Sequence, residues 1–313
     1  MSRPPLRVGT RKSPMALAQA RQVAALLAGQ AGAETELVGL SSFGDVSRAE
    51  LAQIGGTGVF VSTLRESLLA GEIDIAVHSL KDLPVAELPE IRLGAIPGRD
   101  DPRDALAGRD GAKLADLPAG ARIGTGSPRR AAQLLLLRPD VRPVSVRGNA
   151  GTRLAKVGSG EVDAVVLAYA GLARIGRLEA VTEVFETADM LPAPGQGALA
   201  VECLASRADL ADLLAGIDDP ASRAAVTAER TVLAELMAGC SAPIGAYAAG
   251  TGTLHLTAVV AGQEGQPAVR ASASGPAAEA GRLGHDVARE LLSRGAAGYM
   301  TISAVDMSNG DDA

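Results

Sequence analysis

Arg122-Ile123-Gly124-Thr125-Gly126-Ser127-Pro128-Arg129-Arg130, in mid-chain, repeats the order of an earlier stretch, Leu6-Arg7-Val8-Gly9-Thr10-Arg11-Lys12-Ser13-Pro14. Each reads as a short strand, a Gly-Thr step and a Ser-Pro pair that opens a helix. The serine hydroxyl caps orphan backbone N–H groups of the first turn. Proline suits the first helical position, where its missing N–H costs nothing. A second pair follows in the same order: Gly71-Glu72-Ile73-Asp74-Ile75-Ala76-Val77 is echoed by Gly160-Glu161-Val162-Asp163-Ala164-Val165-Val166. The period is too long for a solenoid. The repeat predicts two similar, binding-protein-like α/β domains facing each other. Each has a mainly parallel sheet, with ligand groups at strand C-terminal ends and helix N-termini.

Working outward, a helix is expected from Pro14 to about residue 28, with strands at 6–8 and 36–40. The Gly-rich stretch 41–58 reads as a mobile surface loop, followed by a helix at 60–70 and a strand at 73–77. Residues 98–104, rich in Arg, Asp and Pro, read as a linker. Leu191-Pro192-Ala193-Pro194-Gly195-Gln196-Gly197 is a second breaker-rich segment. The apolar strand after it, 198–203, is expected to return to the first domain, which puts Cys203 in a core. Two crossing segments make a hinge. A third region starts near Asp219-Pro220, with helices at 221–236 and 277–293 around an alternating, antiparallel sheet at 245–273. The expected boundaries are 1–98 with 198–217, 102–192, and a smaller α+β domain at 220–305, with a frayed tail at 306–313.

Composition narrows the function. The 313 residues suit roughly two or three domains of about 100–200 residues each. Aromatics at 2% with no Trp equip the surface poorly for stacking on bases, and a net charge of −6 opposes a polyanion partner. No nucleic-acid partner is expected. The N-terminus has no apolar signal core and no run reaches transmembrane length, so no membrane partner is expected either. Two cysteines far apart suggest no disulfide framework, which fits a reducing cytoplasm.

Arginines gather at the predicted ligand ends. Arg11 precedes one helix, Arg129 and Arg130 lie in the first turn of another, Arg147 and Arg153 flank a Gly-Asn-Ala-Gly-Thr stretch, and Arg174 follows a strand. A cation in a first turn opposes the helix dipole unless an anion bridges it to the N–H groups. Each arginine alone fits a solvated basic face. Together they suggest a ligand with several carboxylates or phosphates. The glycines form neither a Walker loop nor GxGxxG. Asp82, after Lys81 at a strand end, suits N–H donors or a developing cation, or simply ends a strand in solvent. His78 reads as a satisfied strand-end histidine or a proton shuttle. Cys240, between Gly239 and Ser241, reads as a small buried hydrophobe or as a thiolate that carries something covalently. No metal ligands stand at zinc spacing around it.

His78-Ser79-Leu80-Lys81-Asp82-Leu83-Pro84, Gly124 to Arg130, Arg147-Gly148-Asn149-Ala150-Gly151-Thr152-Arg153-Leu154 and Gly239-Cys240-Ser241-Ala242-Pro243-Ile244-Gly245 together resemble the motifs of the porphobilinogen deaminase family. The resemblance runs in order over nearly the whole chain. It implies a three-domain α/β enzyme that condenses four porphobilinogen molecules head to tail, with loss of ammonia, into hydroxymethylbilane. It implies a dipyrromethane cofactor joined to Cys240 by a thioether, no metal, and a cytoplasmic monomer. By motif position Asp82 is the catalytic carboxylate. Lys81, Asp82, Ser127, Arg129, Arg130 and Arg153 bind the cofactor, and Arg11, Ser13, Arg147 and Arg174 serve the substrate. Gln53 and Thr57 stand where the family usually has lysines, and Gly126-Ser127-Pro128 replaces the commoner Ser-Ser-Leu. A non-catalytic binding protein for a small anion is the rival reading; the third region with its Cys loop counts against it.

Overall fold

The computed structural model describes residues 4–40, 58–238, 242–262 and 267–299. The Gly-rich stretch 41–57, Cys240 with its two neighbours, and the tail from 300 lie outside them. In chain order the elements are β1 (Leu6–Arg11), α1 (Pro14–Ala31), β2 (Thr35–Leu40), α2 (Gly58–Leu69), β3 (Ile75–Ser79), β4 (Ile91–Ala95), β5 (Asp104–Gly108), β6 (Arg122–Gly124) and α3 (Pro128–Leu137). There follow β7 (Arg142–Val144), α4 (Ala150–Gly158), β8 (Ala164–Ala168), α5 (Tyr169–Arg174), β9 (Glu183–Val184), β10 (Leu199–Leu204), α6 (Ala208–Ala215) and α7 (Pro220–Glu235). The last are β11 (Ile244–Ala249), β12 (Thr253–Val260), β13 (Val269–Pro276) and α8 (Ala280–Ser293). The chain divides into two compact units.

Unit 1 comprises Met1–Pro102, Ala168–Glu179 and Gly195–Ala224. Its five-stranded sheet runs β2-β1-β3-β10-β4. β1 is parallel to β2 and β3, and β10 returns antiparallel to β3 and β4. Val8, Val23, Leu27, Ile75, Val77, Val201 and Cys203 share its core. Cys203 thus lies in packed apolar surroundings, as its strand pattern suggests. α1 starts where the Ser-Pro pair directs: Ser13 Oγ accepts from Ala16 N at 3.2 Å, with Pro14 at the first helical position. It ends at Gly32, in the left-handed region at φ 60° that glycine adopts without strain.

Unit 2 comprises Arg103–Leu167, Ala180–Pro194 and Ala225–Ala313. Its five-stranded sheet runs β7-β6-β8-β5-β9, with β6 parallel to β7 and β8 and β9 antiparallel to β5. The order matches that of unit 1, the structural counterpart of the sequence repeat. The same unit holds the antiparallel sheet β11-β12-β13. α8 packs on it through Leu283, Val287 and Leu291, one apolar stripe at four-residue spacing. The linker reading fails at its last residue: Asp104 opens β5 and is fully buried. Its carboxylate is paired with two arginines of α3.

Among the described residues no helix is long and apolar enough to cross a membrane.

Candidate functional site

In unit 1, parallel β1 and β3 end on the same sheet edge, and the predicted residues collect there. Arg11 is the last residue of β1, and Ser13 caps α1. β3 runs into a single tight turn, Leu80–Asp82, that carries Lys81 and Asp82. Leu80 is buried and anchors that turn. Lys81 Nζ donates to Gln196 Oε1 at 3.2 Å, and Gln196, itself fully buried, donates to Pro102 O at 2.7 Å. Asp82 is half-buried, and among the described residues no partner bonds its carboxylate. It therefore keeps its acceptor capacity for something else.

Arg174, at the end of α5, is engaged within unit 1. Its Nε donates to Asp100 Oδ2 at 2.9 Å and its Nη2 to Gly197 O at 2.6 Å. Burial pulls its pKa down, against the raising effect of Asp100. Gly197 is held at φ 87°, and a Cβ there would stand 2.4 Å from Asp100 O. Asp100 and Gly197 are thus parts of the arginine's seat that the motif pattern did not reveal.

Unit 2 gathers the second set at the start of α3. Ser127 is the cap, accepting from Arg130 N at 3.4 Å, and Pro128 opens the helix. Arg129 and Arg130 are buried, at 3% and 6% exposure, so neither sits on a solvated basic face. Asp104 Oδ2 accepts from Arg129 Nη1 at 2.7 Å, and Oδ1 accepts from Arg130 Nε and Nη2 at 3.0 and 2.8 Å. Burial alone would raise the Asp104 carboxyl, but the two guanidiniums outweigh it and hold it well below the usual carboxylate range.

Arg153 lies in the first turn of α4, an element the sequence reading passed over. Asn149 caps it, accepting from Thr152 N at 2.9 Å, and Arg153 Nε donates to Gly148 O at 2.9 Å. Burial and then the charge of Arg130 lower the Arg153 pKa. Among the described residues no carboxylate pairs with Arg153. Arg147, after β7, is exposed. Arg129 and Arg130 thus share the Asp104 carboxylate, and Arg153 adds a third guanidinium that feels the charge of Arg130, all at helix N-termini whose dipoles add positive potential. Such an excess fits an anionic ligand.

Comparison with known proteins gives this arrangement a family. Residues 6–212 match the model of the porphobilinogen deaminase dipyromethane cofactor binding domain, and residues 223–293 match that of the porphobilinogen deaminase C-terminal domain. Porphobilinogen deaminase of Thermobifida fusca is 56% identical over 306 residues, covering 95% of this chain and 96% of the relative. Porphobilinogen deaminase 1 of Streptomyces coelicolor is 51% identical over 314 residues, covering 96% and 98%. Among solved structures, a periplasmic substrate-binding protein of an ABC transporter from Coxiella burnetii aligns with a TM-score of 0.43 and 15% identity, covering 70% of this chain and 94% of that one. The chain belongs to the porphobilinogen deaminase family, a family of enzymes.

Proposed function

We propose that this chain condenses four porphobilinogen molecules head to tail, with loss of ammonia at each step, into hydroxymethylbilane for tetrapyrrole and haem biosynthesis. The observation that carries the reading is the gathering of cations in unit 2: Arg129 and Arg130 share the buried Asp104 carboxylate, and Arg153, close enough to feel the charge of Arg130, has no carboxylate partner among the described residues. Porphobilinogen carries an acetate and a propionate, so every added unit brings two negative charges. Buried cations without enough counter-charge are costly unless a ligand supplies it.

The same excess fits a dipyrromethane with its carboxylates. Bound through Cys240, that group supplies the pyrrole end on which the chain is extended. Lys81, Ser127, Arg129, Arg130 and Arg153 hold its carboxylates; Arg129 contributes its charge from a position already bonded to Asp104. Arg11, Ser13, Arg147 and Arg174 receive the incoming substrate. Asp82 accepts pyrrole N–H bonds and stabilises the positive charge that ammonia loss leaves on the substrate.

The reading includes three domains at 1–98 with 198–217, 102–192 and 220–305. It takes the protein as a cytoplasmic monomer with porphobilinogen as its small-molecule partner. Steady-state formation of hydroxymethylbilane by the purified chain tests the function; a cofactor-loaded chain that yields no product overturns it.

A further inference from the structure

We propose that Asp104 is a positioning residue for the anion-binding arginines of unit 2, fixing the direction of their donors before any ligand arrives. This rests on reading unit 2 as a carboxylate-binding surface. Both oxygens of Asp104 are used, Oδ2 on Arg129 and Oδ1 on two nitrogens of Arg130. The third nitrogen of Arg130, Nη1, donates to Val166 O of β8 at 3.2 Å. Arg129 Nη1 also reaches Leu191 O at 2.6 Å. One turn along α3, Gln133 bonds the same backbone both ways: Nε2 to Leu191 O at 3.0 Å, and Leu191 N to Oε1 at 2.8 Å. Arg130 is therefore held through all three of its nitrogens, and Arg129 through Nη1, which bonds two acceptors while its buried Nε has no partner among the described residues. The adjoining Pro192 O accepts from Ala246 N of β11 at 3.0 Å, so the network reaches the strand that begins four residues after Cys240.

Stability alone is a poor account of this arrangement. One buried carboxylate cannot neutralise two buried guanidiniums, and both cations lie in a helix first turn, where the dipole disfavours them. Well-packed apolar side chains would serve folding at least as well. A free arginine loses several rotors when it grips a ligand. Here that ordering occurs on folding, and the ligand meets donors already aimed. Asp104 acts through Arg129 and Arg130 and touches no ligand itself.

The test is the loading of Cys240. Full-length chain made in cells lacking porphobilinogen is incubated with porphobilinogen, and the covalent mass gain is followed with time, below the melting temperature of every variant. Asp104→Asn should load about a hundredfold more slowly, the scale of losing a preorganised electrostatic group. Asp104→Glu, which restores the charge at a displaced position, should recover part of that rate. In an Arg130→Lys background, where no two-nitrogen contact is available, the cost of Asp104→Asn should shrink about tenfold or more. Wild-type loading by Asp104→Asn, equal loss in the Glu and Asn variants, or additive losses with Arg130→Lys would each overturn the proposal. Should Asp104→Asn not fold, Asp104→Asn with Arg129→Met, which removes one buried cation, is compared with Arg129→Met alone. About tenfold slower loading in the pair supports the proposal, and equal loading overturns it. A wild-type chain that gains no mass overturns the functional reading itself, an outcome distinct from a wild type that loads beside an Asp104→Asn that loads equally.

Discussion

His78 Nε2 lies 3.1 Å from Oε2 of Glu202 inside the sheet of unit 1, and both side chains are buried. Ala200 is the register partner of His78, so Glu202 stands two residues along β10 on the same face. Arg65 of α2 closes the other side, Nη2 to Oε1 at 2.7 Å. Burial alone would raise the Glu202 carboxyl, but His78 and Arg65 outweigh it and hold it below its ordinary value. The trio braces β3 just before the turn that carries Asp82.

Glu202→Gln leaves the Arg65 guanidinium without its counter-charge, and the expected loss of stability at pH 7 is about 3–5 kcal/mol. The folded pKa of Glu202 is depressed. Its contribution is therefore fully present above the unfolded glutamate value of about 4.3 and fades as pH falls through the lower folded value. Denaturant unfolding at pH 7 and at successively lower pH checks this. The gap between variant and wild type should narrow below about pH 4. A gap of constant size would contradict the assignment.

Cys203 is fully buried among Val8, Ile75 and Val201, and burial pushes its thiol pKa up. A neutral thiol in a core is no attachment point. Cys203→Ser should lose about 1–3 kcal/mol, because the hydroxyl is buried, yet keep its covalent cofactor. Loss of the cofactor with the fold intact, read by intact mass and circular dichroism on one sample, would exchange the roles of the two cysteines.

Asp82 follows a strand at the edge where α/β sheets place ligands. Asp82→Asn keeps the size but loses the charge and turns a donor toward the pyrrole N–H groups. Turnover should fall at least about a hundredfold while the chain folds and retains dipyrromethane. Asp82→Glu should be less impaired. Hydroxymethylbilane formation is measured with cofactor content on the same sample, and near-wild-type turnover in Asp82→Asn would show that the charge is dispensable.

The repeat made the sheets legible because capping chemistry is local. Ser13 and Ser127, each before a proline, mark helix starts by residue type alone, and both accept the hydrogen bonds expected of them. The return of β10 was legible from an apolar run after a Pro-Gly segment. Burial of charge was not. Asp104 stands in an Arg-Asp-Pro run whose composition reads as linker, and only the approach of α3 to β5 makes it a core residue. α4 was hidden by Gly148 and Gly151, although Asn149 three residues before Thr152 was an available capping signal. A lone Glu202 within Leu199-Ala200-Val201-Glu202-Cys203-Leu204 was likewise a visible mark of a buried ion pair. Asp100 and Gly197 could not be found, because their role depends on where Arg174 returns to unit 1.

The most direct test of the central claim is the mass of the purified chain, followed by mapping of its peptides. The account predicts a covalent increment of one dipyrromethane, confined to the peptide containing Cys240, positive with a pyrrole-specific colour reagent and absent from a folded but inactive Cys240→Ser variant. An unmodified Cys240 peptide in a chain that still makes hydroxymethylbilane, or the increment on any other residue, would contradict it.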